Sequence, residues 1–335
     1  MSKTDNLVHR LEAVGFSGGF VRTCLPDWWD EQAEQSQSAW VQMQLGLAQR
    51  LSLDPISLLD EHSPLRLSDV GRPKYKHLAL SADQLAAANG FANGLARLLI
   101  AAMPKSAYEL PESALELRNL MLSGQGEQWI GFPQLLQLCY AFGIPIAHLT
   151  VFPAGIKGMA AMATGIGDRS AIFTARKPIH PAQTAFYIAH ELGHIALGHT
   201  KNNQTIIEAL TLDPDEADDS LPLDEEERSA DAFAFELLTG RAEFIVTGPK
   251  DQGNASELRS IAQQTGERMG IDPGLLILCY GRSTERWQLA SAALKLLPDH
   301  GQDSASLVNR ALRSQLDSEM LSSEDVAYLD AIAAP

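Results

Sequence analysis

"AFYIAHELGHIALGHT", residues 185–200, places three of the chain's nine histidines within ten residues. The stretch is otherwise apolar and compatible with a helix, and Pro181 just upstream suits a first helical turn. At about 100° of rotation per residue, His190 and His194 stand about 40° apart on one face, one turn apart. Two imidazoles so placed can grip one cation. Glu191 lies on the neighbouring part of the helix face, where it can reach a water without ligating the ion. Burying such a face without partners is costly, so it needs a cation or a hydrogen-bond network.

Two histidines leave a catalytic zinc one protein ligand short, since such sites usually take three donors and a water. His199 is one candidate. The zinc-protease pattern with a third histidine requires a glycine three residues after the second and a histidine three further on. Those positions here are Leu197 and Thr200, so the pattern misses by one. A continued helix would also turn His199 about 140° away from His194. His199 is therefore expected at the helix end or surface, off the site. Downstream, "EEERSADAFAFELL" offers Glu227 and Asp231 four apart on one helical face. Glu227 can supply the third donor, and Asp231 can accept the remaining ring N–H of a ligating histidine. Glu225 and Glu226 are rivals by composition; the spacing to Asp231 favours Glu227.

The 335 residues suffice for a large core and two or three domains. A formal net charge of −16 disfavours nucleic-acid binding overall. Residues 1–110 carry ten Lys or Arg against twelve Asp or Glu, so the acidity lies further on. Within that first part, "PLRLSDVGRPKYKH" groups Arg66, Arg72, Lys74 and Lys76 as a basic patch. Cys24, Cys139 and Cys279 are too few and too far apart for a disulfide framework or a paired-cysteine zinc site. The apolar runs are short for a bilayer span, and no secretion segment opens the chain, so a cytoplasmic location is expected.

Residues 38–61 show a helical period broken at Asp54-Pro55, compatible with a helix-turn-helix or a small bundle; Trp28 and Trp29 would staple it or meet a partner. Residues 82–103 read as an Ala-rich helix, with a linker near 104–111. Helices follow near 113–122 and 133–142, then strands in "HLTVFP", "GMAAMATG" and "SAIFTAR". After the histidine helix come an acidic stretch and helices near 224–238, 255–269, 272–280 and 284–297. The fold class is α+β: mostly helical, with a small sheet packed against a zincin-like His-Glu-x-x-His helix and a helical N-terminal domain. The expected division is 1–110, 111–245 and a C-terminal helical extension, 246–335.

"RSAIFTAR", "QTAFYIAHELGHIALGH" and "ERSADAFAFELL" together resemble the ImmA/IrrE family of zinc-dependent metallopeptidases over roughly residues 112–245. The resemblance implies Zn2+ held by His190, His194 and Glu227, with Glu191 as the catalytic acid/base. A second glutamate frequent in the family is Ser229 here. The implied function is an intracellular endopeptidase whose partner is a protein substrate, a regulator or repressor cleaved at a limited site. DNA is a second candidate partner, and no membrane partner is expected. The alternative is a metal-dependent transcriptional regulator, or a sensor or interaction module of a stress system, without turnover.

Overall fold

The computed structural model describes residues 2–68, 74–75, 81–124, 126, 128–153, 160–201, 203–208, 225–249, 253–299, 301 and 303–335. Of the basic patch, Asp69, Arg72 and Lys76 lie outside these residues, as does the acidic run from Thr211 to Asp224. The N-terminal helices are α1 (Lys3–Glu12), α2 (Gly18–Thr23), α3 (Gln37–Leu51), α4 (Pro55–Leu59) and α5 (Ala82–Ala102), with the two-residue strand β1 (Lys74–Tyr75) before α5. Next come α6 (Ala114–Gly124), α7 (Phe132–Ala141), and strands β2 (Ile146–His148), β3 (Ala161–Ile166) and β4 (Arg169–Thr174). Helix α8 (Pro181–Ala196) carries the histidine motif, followed by β5 (Thr205–Glu208) and α9 (Glu225–Thr239). The chain ends with α10 (Ala255–Met269), α11 (Pro273–Thr284), α12 (Trp287–Leu294), α13 (Ser304–Gln315) and α14 (Ser323–Ile332). This is a mostly helical α+β fold.

The strands form one mixed sheet in the order β1-β5-β3-β4-β2. Strand β3 runs antiparallel to both β4 and β5, while β2 is parallel to β4. Successive side chains point to opposite faces of a strand, and here both faces are covered. Ile146, Ala161 and Ile172 pack with α7, α8 and α11. Ala147, Met162, Ala171 and Phe173 pack with α1, α2, α3, α5 and α14. Residues before position 110 and after position 300 therefore share one core against the same face of the sheet. Trp28 Nε1–H donates to Glu324 Oε1 at 2.8 Å and Trp29 Nε1–H to Thr4 Oγ1 at 3.2 Å, so the tryptophan pair staples the helices at both chain ends.

Two strand expectations need correction. The strand expected in "HLTVFP" is instead Ile146–His148, overlapping it only at His148. Leu149 N–H still donates to Thr174 O at 2.7 Å, but Thr150 N–H turns to Ile332 O of α14, which draws the chain out of the sheet. Strand β5 was not expected; four residues between a turn and an acidic run carry too little periodicity to show. Helix α5 has the length and composition to cross a membrane, yet 72% of its apolar window is buried in the protein. Its apolar residues fill the core beneath the sheet.

The histidine helix begins on a buried polar knot. His180 caps α8: its Nδ1 accepts from Ala182 N–H at 3.2 Å, which leaves the proton on Nε2 to donate to Asp299 Oδ1 at 3.0 Å. Asp272, the cap of α11, accepts from Gly274 N–H at 2.6 Å. Burial first, and then the Asp299 carboxylate, push the Asp272 carboxyl up against the opposing pull of His180. A carboxyl raised in the folded state binds more protons there than in the unfolded chain. Its contribution to stability thus falls as pH rises from about 4 to the raised value, by at most about 1.4 kcal/mol per pH unit for one proton. Asp272→Asn keeps the capping oxygen, so we expect it to lose less stability than the parent over this range. Urea unfolding of both proteins from pH 4 to 7 checks this; equal slopes would contradict it.

Candidate metal centre

The motif side chains are sequestered: Glu191 and His194 are 0% exposed and His190 2%. Helix α9 packs along α8, and Gly193 lies at their contact. A Cβ at Gly193 would lie 3.1 Å from both Ala230 O and Phe233 Cβ. Phe186 and Phe235 hold the same interface, with ring centroids 5.1 Å apart. The first turn of α9 is acidic, as the positive end of a helix dipole favours. Its three glutamates fare differently: Glu225 is exposed and pairs with Arg228 at 3.1 Å, Glu226 is half-buried, and Glu227 is buried against α8.

Glu227 meets both imidazoles. His190 Nε2 and His194 Nε2 are 3.1 Å apart, Glu227 Oε2 is 3.5 Å from the first, and Oε1 is 3.5 Å from the second. Donors about 2.0–2.1 Å from a tetrahedral cation sit roughly 3.3 Å from one another. His190, His194 and Glu227 are the group of buried donors that could hold a metal ion among the described residues. Two imidazole nitrogens and a carboxylate oxygen suit a borderline divalent cation.

Electrostatics fits the same use. Burial disfavours the charged form of His190, but hydrogen bonds with Asp231 and Glu227 outweigh it and raise its pKa to about 10. Burial likewise opposes the Glu227 carboxylate, yet the two imidazoles hold it far below the usual carboxylate range. The cluster attracts positive charge. Asp231 Oδ1 stands 2.9 Å from His190 Nδ1, one helical turn beyond Glu227, as the four-residue spacing requires. This bond turns the ring so that Nε2 faces Glu227, where a bound cation would take the place of the Nε2 proton. Neither carboxylate oxygen of Glu191 has a hydrogen-bond partner among the described residues, and burial, reinforced by Glu227 and opposed by both histidines, lifts its pKa to about 7. A dry acid poised near neutrality can both take and give a proton.

Residues 168–266 match the IrrE N-terminal-like domain, Peptidase_M78. The matched segment holds α8, β5, α9 and most of α10, hence every donor just described, and the IrrE-like domain is that of a peptidase. Comparison with curated proteins and with solved structures gives no match. Ser229, in the first turns of α9, donates its Oγ–H to Glu226 O at 2.8 Å inside its own helix.

His199 lies just past the helix end, as expected, but its ring does not point away: its Nδ1 lies 2.9 Å from His194 Nδ1. The helical phase does not apply because α8 stops at Ala196 and Gly198 takes a left-handed φ of 79°. The signal in the sequence was that glycine just past the last apolar turn. His180 and Tyr187, the other polar aromatic groups nearby in sequence, are buried, His180 as the helix cap.

Because Gly193 sets the approach of α9, Gly193→Leu should push Glu227 away from the histidines and strain the core. The expected cost is about 1–3 kcal/mol, the usual penalty for overpacking. Denaturant midpoints of the metal-free proteins measure it, and an unchanged midpoint would contradict the close approach.

Proposed function

We propose that this chain is a zinc-dependent intracellular metalloendopeptidase that cleaves a regulatory protein at a limited site. The observation that carries the reading is the convergence of three buried donor residues beside an acid that has no hydrogen-bond partner among the described residues. The match to a peptidase domain over the same residues supports it. A zinc ion held by His190, His194 and Glu227 would supply Lewis acidity, making a water nucleophilic near neutral pH and polarising the scissile carbonyl. Glu191 takes the proton of the attacking water and delivers it to the leaving amine. Its burial serves both halves of that task, since a carboxyl raised to about 7 is neither a spent base nor a spent acid at neutral pH. Asp231 keeps the proton of His190 on Nδ1, and so keeps Nε2 available as a donor atom. Three free, buried cysteines are consistent with a reducing compartment.

Elemental analysis of the purified protein should find about one zinc per chain. His190→Ala, His194→Ala and Glu227→Ala should each lose most of it, whereas Glu225→Ala and Glu226→Ala keep it. Glu191→Gln should retain the metal and lose cleavage by about 10²–10⁴-fold, the usual contribution of a general base. Fragments produced equally by wild type and Glu191→Gln would remove the peptidase mechanism. Absence of fragments from either, with zinc bound, would favour a metal-dependent regulator without turnover.

Limited specificity has its own test. The run "TLDPDEADDSLPLDEEE", residues 211–227, contains nine acids and leads into the Glu227 helix. Placed beside the cleft it would favour basic partners and repel generic acidic substrates. Zinc-loaded protein should barely cleave casein, and neutralising Asp213, Asp215, Glu216, Asp218 and Asp219 together should change which partners it selects. Brisk casein digestion indifferent to those changes would leave the zinc chemistry standing and remove the selectivity.

A further inference from the structure

The end of α8 is a Schellman turn, and its two closing bonds are both present. Gly198 N–H donates to Ile195 O at 3.1 Å, and His199 N–H donates to His194 O at 2.8 Å. Such a turn brings the second residue past the cap against the residue three from the helix end, a contact that is usually apolar. Here that pair is His199 and His194. Their rings pack edge to face with centroids 5.1 Å apart, and their Nδ1 atoms are 2.9 Å apart.

We propose that His199 is a positioning residue for the metal centre: its Nδ1 accepts the Nδ1–H of His194 and thereby directs the His194 Nε2 lone pair at the ion. The inference rests on the reading of His190, His194 and Glu227 as the metal ligands. Two nitrogens at hydrogen-bond distance need one proton between them. His194 Nε2 faces Glu227 and His190, where a ligand nitrogen must present a lone pair, so the proton of neutral His194 sits on Nδ1. His199 then accepts through Nδ1 and carries its own proton on Nε2. The two ligands are therefore oriented unequally, His190 by the carboxylate of Asp231 and His194 by a neutral imidazole. His199 is half-buried at a helix end, so its replacement does not open the core.

Asparagine makes the role separable from packing, because its Oδ1 is as many bonds from the backbone as the Nδ1 of histidine and can accept the same proton. Phenylalanine keeps the ring and removes the acceptor. The experiment is competition of the full-length protein against a chromophoric zinc chelator, for wild type, His199→Phe, His199→Asn and His190→Ala. We expect His199→Phe to weaken zinc binding about 10–100-fold, the range typical of partners that orient a ligand, and His199→Asn to recover most of that loss. Unchanged affinity in His199→Phe, or equal loss in the Phe and Asn variants, overturns the inference while His190→Ala still shows where the zinc binds. A wild type without zinc affinity, or His190→Ala binding as well as wild type, overturns the metal centre itself.

Discussion

Everything at the candidate site depends on how closely α9 can lie against α8. Helix axes normally stand 8–10 Å apart, with the side chains at the contact setting the distance. Gly193 contributes no side chain at the crossing, and Ala230 and Phe233 of α9 fill the space it leaves. The approach brings Glu227 to within 3.5 Å of both Nε2 atoms. It also stacks Asp231 against the far nitrogen of His190. Two candidate donors on α8 and a third on α9 are therefore one packing solution rather than three separate placements. A bulkier residue between the two histidines would leave the motif spelled correctly and geometrically useless.

The site concentrates charge in a dry place. Glu191, Glu227 and Asp231 surround two imidazoles, and His190, His194 and Glu227 are buried residues. Charges so buried are tolerated only when paired or bound to a metal. The shifts express that constraint: His190 is pulled towards its cationic form and Glu227 towards its anionic one. Among the described residues Glu191 is the member without a hydrogen-bond partner, and its carboxyl is the one raised by burial. A divalent cation among these donors satisfies the cluster and leaves Glu191 as the free acid beside it.

The sheet is the platform on which α8 packs. It is covered by α8 on one side and by α5 with the terminal helices on the other. The start of α8 is fastened separately, through His180 to Asp299 beyond α12. Asn309 of α13 donates to His148 O at 2.9 Å and accepts from His148 N–H at 2.8 Å, tying the C-terminal helices to β2. The C-terminal residues thus brace the sheet through β2 and the start of α8 through His180.

What the sequence determined by itself is what helical periodicity and local chemistry carry. The facing pair His190 and His194, the start at Pro181, the four-residue step from Glu227 to Asp231 and the bounds of α5 and α10 follow from spacing, proline and capping. Choosing Glu227 over Glu225 and Glu226 followed from the same step, and burial agrees with it. The tertiary structure decided the rest. Periodicity fails where an element is too short to repeat, as in β5, or where a third element diverts the chain, as α14 does after His148. It also fails where a helix ends. The phase that pointed His199 outward held only as long as the helix did, and the left-handed turn at Gly198 returned that ring to His194. Helical phase is a local property of consecutive residues, whereas the meeting of two side chains across a turn depends on where the backbone reverses.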